Sequence, residues 1–289
     1  MLRRLLKLTV PLGFNDILRS GLSALENMLV PKGLRRSGRS GEEALSSYGT
    51  ICGMVFPVIT FPSVILYSLS DLLVPEMARC RAKERGERIQ FLTDKCLRLT
   101  LLFAVASAGL CFLLGEELGL LLFGSMEAGV YIRIFAPLIV ILYLDAITDG
   151  MLKGLSQQLH SVRYNTITSI LDVSMLWFLL PRYGIGGFLA AFTVSHAINF
   201  YLSLRRLIVV TGYLPRFHAT FQSALCCAAC LLVVPLLPLS GDVGGTVLRG
   251  ACFLLLYLIL ARFTGALSGD DLSWLKSLIL KKESAKIRA

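Results

Sequence analysis

Apolar residues recur along this chain in long runs separated by short polar breaks, and the first run is also the most polar of them. Leu5 to Val30 is long enough to cross a bilayer, which takes about 20 mostly apolar residues. Yet it contains Asn15, Asp16, Arg19, Ser20, Ser23, Glu26 and Asn27. At 100° per residue, all of these except Asn15 fall within an arc of about 120° on one helix face. Leu12, Phe14, Ile17, Leu18, Leu22, Leu25, Met28 and Leu29 occupy the rest of the surface. A charge at the centre of a bilayer helix costs about 2.5–3.5 kcal/mol. The polar face therefore predicts other helices or a wet cavity beside it rather than lipid.

The remaining pattern predicts an all-α integral membrane protein with eight transmembrane helices, at about 5–30, 46–75, 92–114, 128–150, 161–180, 185–209, 219–238 and 246–264. Breakers punctuate them: Pro31 with Gly33, Gly115, Pro181 with Gly184, Gly212 with Pro215, and Gly241 with Gly244 and Gly245. The second run holds Pro57, Pro62 and Pro75, which remove backbone hydrogen bonds and predict a bent helix. A short amphipathic piece at Asp271–Leu280 is expected to lie at the interface.

Composition supports the membrane reading. The chain has 289 residues, is 55% hydrophobic and 17% charged, against about 25% charged in soluble domains. Its net charge of +10 sits in short segments between apolar runs and lacks aromatic interleaving, which argues against a nucleic-acid partner. With the N-terminus inside, most of the 29 Lys and Arg fall in cytoplasmic segments, so both termini are expected in the cytoplasm. The basic loop of Lys32, Arg35, Arg36 and Arg39 departs from this rule. No cleaved signal is expected, because Asn15 to Arg19 interrupt any apolar core and no small-residue cleavage site follows.

Chemistry enters at few places. Asp145, Asp149 and Lys153 are spaced i, i+4, i+8 on one helix face, a pattern that permits an ion pair and marks a gate or ion site. Asp172 and His196 are isolated polar groups in apolar runs, expected to hydrogen-bond between helices. His160, His196 and His218 are spread over different segments, and Cys227 with Cys230 has no second ligand pair, so no metal or cofactor is expected. Signatures of zinc hydrolases, serine hydrolases and phosphate-binding loops are absent. The expectation is that the chain is not an enzyme.

The stretches RSGLSALENMLVPKGLR (19–35), FPSVILYSLSDLLVPEMAR (61–79), DGMLKGLSQQLHSVRYN (149–165) and PRYGIGGFLAAFTVSHAINF (181–200) resemble the C-terminal half of stage V sporulation protein B-like polysaccharide transporters. These belong to the multidrug/oligosaccharidyl-lipid/polysaccharide flippase superfamily. The resemblance implies a MATE-like fold in which residues 1–210 are the six-helix second lobe, 211–266 two additional helices, and 267–289 a basic cytoplasmic tail. It also implies a bacterial plasma membrane location and a lipid-linked oligosaccharide, or other anionic lipid, as the ligand. Alternating access then needs a first lobe, as in a truncated or split gene product paired with a separate first-lobe polypeptide. The polar face of the first helix would point toward that lobe. In such a transporter Arg19 would meet a pyrophosphate, with Asp16, Ser23, Glu26 and Asn27 beside it. A cation-coupled drug efflux lobe leaning on Asp145 and Asp149, an integral membrane transferase, and a non-transporting fragment or interaction subunit are the alternatives.

Overall fold

The computed structural model describes residues 2–38, 40–214, 217–237, 243–269 and 271; for residues 2–12, 14–16, 217 and 219 it describes the backbone alone. Among the described residues there is no strand. The helices are α1 (Leu2–Arg36), α2 (Gly41–Thr50), α3 (Phe56–Thr60), α4 (Val64–Ala82), α5 (Gly86–Phe123) and α6 (Met126–Phe135), followed by α7 (Leu138–Gly154), α8 (Gln158–Tyr183), α9 (Ile185–Thr211), α10 (Phe217–Val233) and α11 (Val243–Phe263). Each apolar run expected from the sequence coincides with one of them or with a contiguous set.

Local chemistry accounts for several boundaries. Ser40 caps α2 by accepting the Glu43 backbone N–H at 3.2 Å, while Glu43 accepts the Ser40 N–H at 3.0 Å, a reciprocal capping box. Gly124 (φ +63°) and Gly212 (φ +65°) end α5 and α9 in the left-handed conformation that a glycine adopts without a side-chain clash. The proline-rich run is irregular, as expected. Between α2 and α4 the helix widens to a π turn at Ile51–Val55 and tightens to a 3-10 turn at Phe61–Ser63. There Tyr143 of α7 donates its hydroxyl to the Ile59 carbonyl at 2.8 Å, which ties the broken ladder to the next layer.

Four helical stretches among the described residues are long and apolar enough to cross a membrane: Gly41–Ala82, Gly86–Phe123, Ile185–Thr211 and Val243–Phe263. The number rises to five if α6 and α7, bent by 58° at Ala136–Pro137, form one broken span. Length and composition alone thus do not reproduce the eight spans expected. The reason is visible in the residues. α1 and α8 carry polar stripes, and the apolar part of α10, with its following turn, is short.

α1 packs on α8, α8 on α9, α9 on α7, and α7 on both α4 and α5. α6 returns along α5, and α10 and α11 also pack on α5. Core side chains form three groups. Leu34, Ile51, Ile59, Phe135 and Leu180 fill one end, and Met77, Cys96, Ile147, Met151 and Leu207 fill the other. Cys230, Phe253, Tyr257 and Ala261 seat α10 and α11 against α5.

Two helix pairs touch through glycines. A Cβ at Gly119 would fall on the backbone of Gly129, and one at Gly115 would lie 3.0 Å from the backbone nitrogen of Arg133. A Cβ at Gly154 would lie 2.8 Å from the Val74 carbonyl of α4. Small residues one turn apart let backbones approach, as is common between membrane helices. Gly119→Ala is therefore expected to destabilise the protein by about 1–3 kcal/mol through overpacking, whereas Gly186→Ala, with open space at its Cβ, should be tolerated. Thermal unfolding in detergent measures both, and equal melting temperatures would contradict the close-contact argument.

α5 also carries ion pairs. Glu116 accepts from Arg133 of α6 at 3.0 Å, and Glu117 from Arg249 of α11 at 2.5 Å. At the other end Lys95 lies 2.5 Å from Asp271, which also pairs with Arg98. Asp271, the first residue of the expected amphipathic piece, is fully buried. The rest of that piece, with the tail to Ala289, lies outside the described residues.

A polar groove shared by five helices

The polar face of α1 does not point away from the chain. Arg19, Ser23 and Glu26 line a cavity of about 280 Å³ with Asn165, Thr168 and Asp172 of α8 and Ser195, His196 and Asn199 of α9. The partners expected from an absent lobe are thus partly present in this polypeptide. Asn27 points elsewhere and accepts the Tyr48 hydroxyl of α2 at 2.6 Å. The Asp16 side chain lies outside the described residues.

A second cavity, of about 380 Å³, opens between α4 and α7. Ser63, Tyr67, Ser70 and Asp71 form one wall, and Asp145, Asp149 and Lys153 the other. Arg19, Asn165 and His196 line both cavities, so they stand where the two meet. We describe the pair as one groove.

Asn199 is the hub of the partition. Its side-chain N–H groups reach both Asp145 oxygens, at 3.1 and 2.9 Å, and the Asn165 carbonyl oxygen at 3.0 Å. Its own oxygen faces the Thr168 hydroxyl at 3.4 Å. One buried amide thereby links α7, α8 and α9. A second link joins Ser195 to Asp172 at 3.0 Å, the interhelical bond expected for that aspartate. Among the described residues His196 makes no such bond: its Nδ1 is buried without a partner and its ring lies 4.3 Å from Phe192.

The triad of α7 divides its roles. Lys153 pairs with Asp149 at 2.7 Å, and Asp149 also accepts from the Ser161 hydroxyl. Asp145 is held by Asn199 instead. Arg19 forms no ion pair among the described residues, with Glu26 or with any other carboxylate. A guanidinium with no ion pair among the described residues is able to take a phosphate oxygen pair through its planar fork.

Asn165, Thr168, Ser195 and Asn199 were missed from the sequence, although their signal is the one that exposed α1. Asn165, Thr168 and Asp172 recur at i, i+3, i+7, and Ser195 and Asn199 at i, i+4, so each set shares a helix face. Among the described residues no group of three or more His, Cys, Asp or Glu is placed to hold a metal. The cysteines are free thiols, with Cys226, Cys227 and Cys230 buried.

No protein-family model matches the chain, and no solved structure matches it. Stage V sporulation protein B of Bacillus subtilis (strain 168) is 26% identical over 161 residues, 56% of this chain and 31% of that protein. Sporulation protein YkvU of the same organism is 23% identical over 177 residues, 61% of this chain and 40% of that protein. The matched segment thus spans well under half the length of either relative. With the apolar helices, these similarities describe an all-α, multi-pass membrane protein that is homologous to stage V sporulation protein B-like proteins.

Proposed function

We propose that this chain is a lobe of a flippase-type membrane transporter that moves polyprenyl-pyrophosphate-linked saccharides, or similar cell-envelope precursors, between leaflets. The observation that carries the reading is Arg19. It is a cation without an ion pair among the described residues, placed where two polar cavities meet inside an apolar helical chain. A guanidinium there suits a pyrophosphate, and the hydroxyl-bearing wall of Ser63, Tyr67 and Ser70 suits a saccharide. Both homologues are named as sporulation proteins, which is consistent with an envelope precursor as cargo.

In this reading α1 to α9 form the second lobe of a MATE-like fold, with α1 and α8 crossing the membrane along their polar stripes. α10 and α11 follow as two further spans, and both termini lie on the cytoplasmic side of a bacterial plasma membrane. The groove works by alternating access against a complementary first lobe. The chain acts as a carrier, breaks no covalent bond and needs no cofactor. The acidic residues Asp71, Asp145 and Asp149 favour one competing reading, a cation-coupled efflux lobe.

Translocation of a fluorescent polyprenyl-pyrophosphate saccharide in reconstituted vesicles tests the two. The flippase reading expects transport that requires a co-reconstituted first-lobe polypeptide and that unlabelled lipid-linked saccharide inhibits. Inhibition by cationic dyes alone, with no movement of the lipid, would replace it by the efflux reading.

A further inference from the structure

The basic turn that ends α1 has no part in the groove. Lys32, Arg35 and Arg36 lie just past the apolar run that closes at Val30, and all three are exposed. With the termini inside, as proposed above, this turn faces outward, the side on which Lys and Arg are depleted. The helix dipole favours a cation in the last turn, which accounts for the charge but not for its placement.

The placement divides the three. Arg35 turns toward α2, where a Cβ at Gly41 would lie 3.4 Å from its Nε. Lys32 and Arg36 are one turn apart, on a ridge of α1 that also carries Met28. At 100° per residue Met28 and Lys32 stand about 180° and 220° around the helix from Arg19, away from the groove. α8 runs close beside this ridge, since a Cβ at Gly33 would fall 2.5 Å from Leu180. Arg36 holds its guanidinium over the Trp177 ring of α8, 5.9 Å from the centroid, within cation–π range. Met28, Trp177 and Phe178 are each more than half exposed. Among the described residues no carboxylate lies at ion-pair distance from Lys32 or Arg36.

These residues repeat the layers of a phospholipid. Met28 and the exposed rings offer apolar surface to acyl chains, and tryptophan settles at the headgroup level. Lys32 and Arg36 follow at the end of the helix, where a phosphate would sit. A guanidinium that stacks by its face keeps its in-plane N–H donors for phosphate oxygens. A soluble anion would use the cations but not the rings, whereas an anionic phospholipid uses both.

We propose that Lys32, Arg36 and Trp177 form a docking site for the headgroup of an anionic membrane phospholipid, separate from the groove and its cargo. The site rests on α1 and α8 crossing the membrane, as in the reading above.

Trp177 fluorescence tests it in phosphatidylcholine vesicles, with Trp274→Phe leaving Trp177 the sole tryptophan. The vesicles contain either brominated phosphatidylglycerol or brominated phosphatidylcholine, whose chains quench a tryptophan that they touch. Phosphatidylglycerol is expected to be preferred at Trp177 by about fivefold or more. In Lys32→Gln/Arg36→Gln the preference should vanish while quenching by brominated phosphatidylcholine persists, which a protein lost from the bilayer would not show. Arg35→Gln removes the same charge beside α2 and should keep the preference. Equal quenching by the two lipids, a preference that survives the double variant, its full loss in Arg35→Gln, or its displacement by inorganic phosphate overturns the site alone. Absence of quenching by either lipid overturns the crossing of α8, and with it the transporter-lobe reading.

Discussion

Lipid-linked precursor translocation is expected to fall by on the order of a hundredfold or more when Arg19 is replaced by alanine, because the loss removes two charge-assisted hydrogen bonds worth about 1.5–3 kcal/mol each. The substitution should leave the fold intact. Arg19 is exposed in the groove and pairs with no carboxylate among the described residues, so its removal strands no buried partner. Arg19→Lys keeps the charge and loses the planar fork, and should fall between the two. Vesicle translocation together with thermal unfolding of the same preparations separates transport from stability. Normal translocation by a well-folded Arg19→Ala protein would remove Arg19 from the site.

The second large effect is one of stability. Asp271→Ala should cost about 3–5 kcal/mol, the usual consequence of removing one member of a buried ion pair. Asp271 accepts from Lys95 and Arg98 on one oxygen and from the Ser268 backbone N–H, at 2.8 Å, on the other. It is fully buried and Lys95 nearly so. Without the carboxylate, two cations of α5 remain together with no counter-ion. The segment after α11 then loses its polar anchor to α5, while the apolar packing of Tyr257 and Ala261 and the Arg249–Glu117 pair remain. Cys230, fully buried beneath α10 and α11, reports the opening, so its maleimide labelling should accelerate as the melting temperature drops. Unchanged labelling and melting would show that the pair contributes nothing to docking.

Helix positions were legible because helical periodicity is a local property. The runs at 5–30 and 92–114 are read from residues three and four apart, and α1 and α5 indeed cover them. The ion pair of Asp149 with Lys153 was readable for the same reason, being one turn long. The prolines of the second run likewise announced the irregular stretch at Ile51–Ser63, since a missing N–H acts on its own turn.

The groove was only half legible. The stripe on α1 identified Arg19, Ser23 and Glu26, but not what they face. The weaker stripes on α8 and α9 were read as isolated residues, which hid Asn165 and Asn199. Asp145 illustrates the limit. Its helix neighbours suggested Asp149 and Lys153 as partners, yet it is held by Asn199, 54 positions away in the chain.

The amino-acid sequence by itself determined where helices form, which of their faces are polar, and that apolar surface dominates. Each of these follows from covalent geometry and side-chain transfer energies within a few turns. Tertiary structure alone decided that the α1 stripe closes against α8 and α9, that Arg19 stands between two cavities with no ion pair among the described residues, and that Asp271 reaches Lys95 across 176 positions. Such pairings depend on how helices pack, and many residues of equal charge and polarity satisfy the same local pattern.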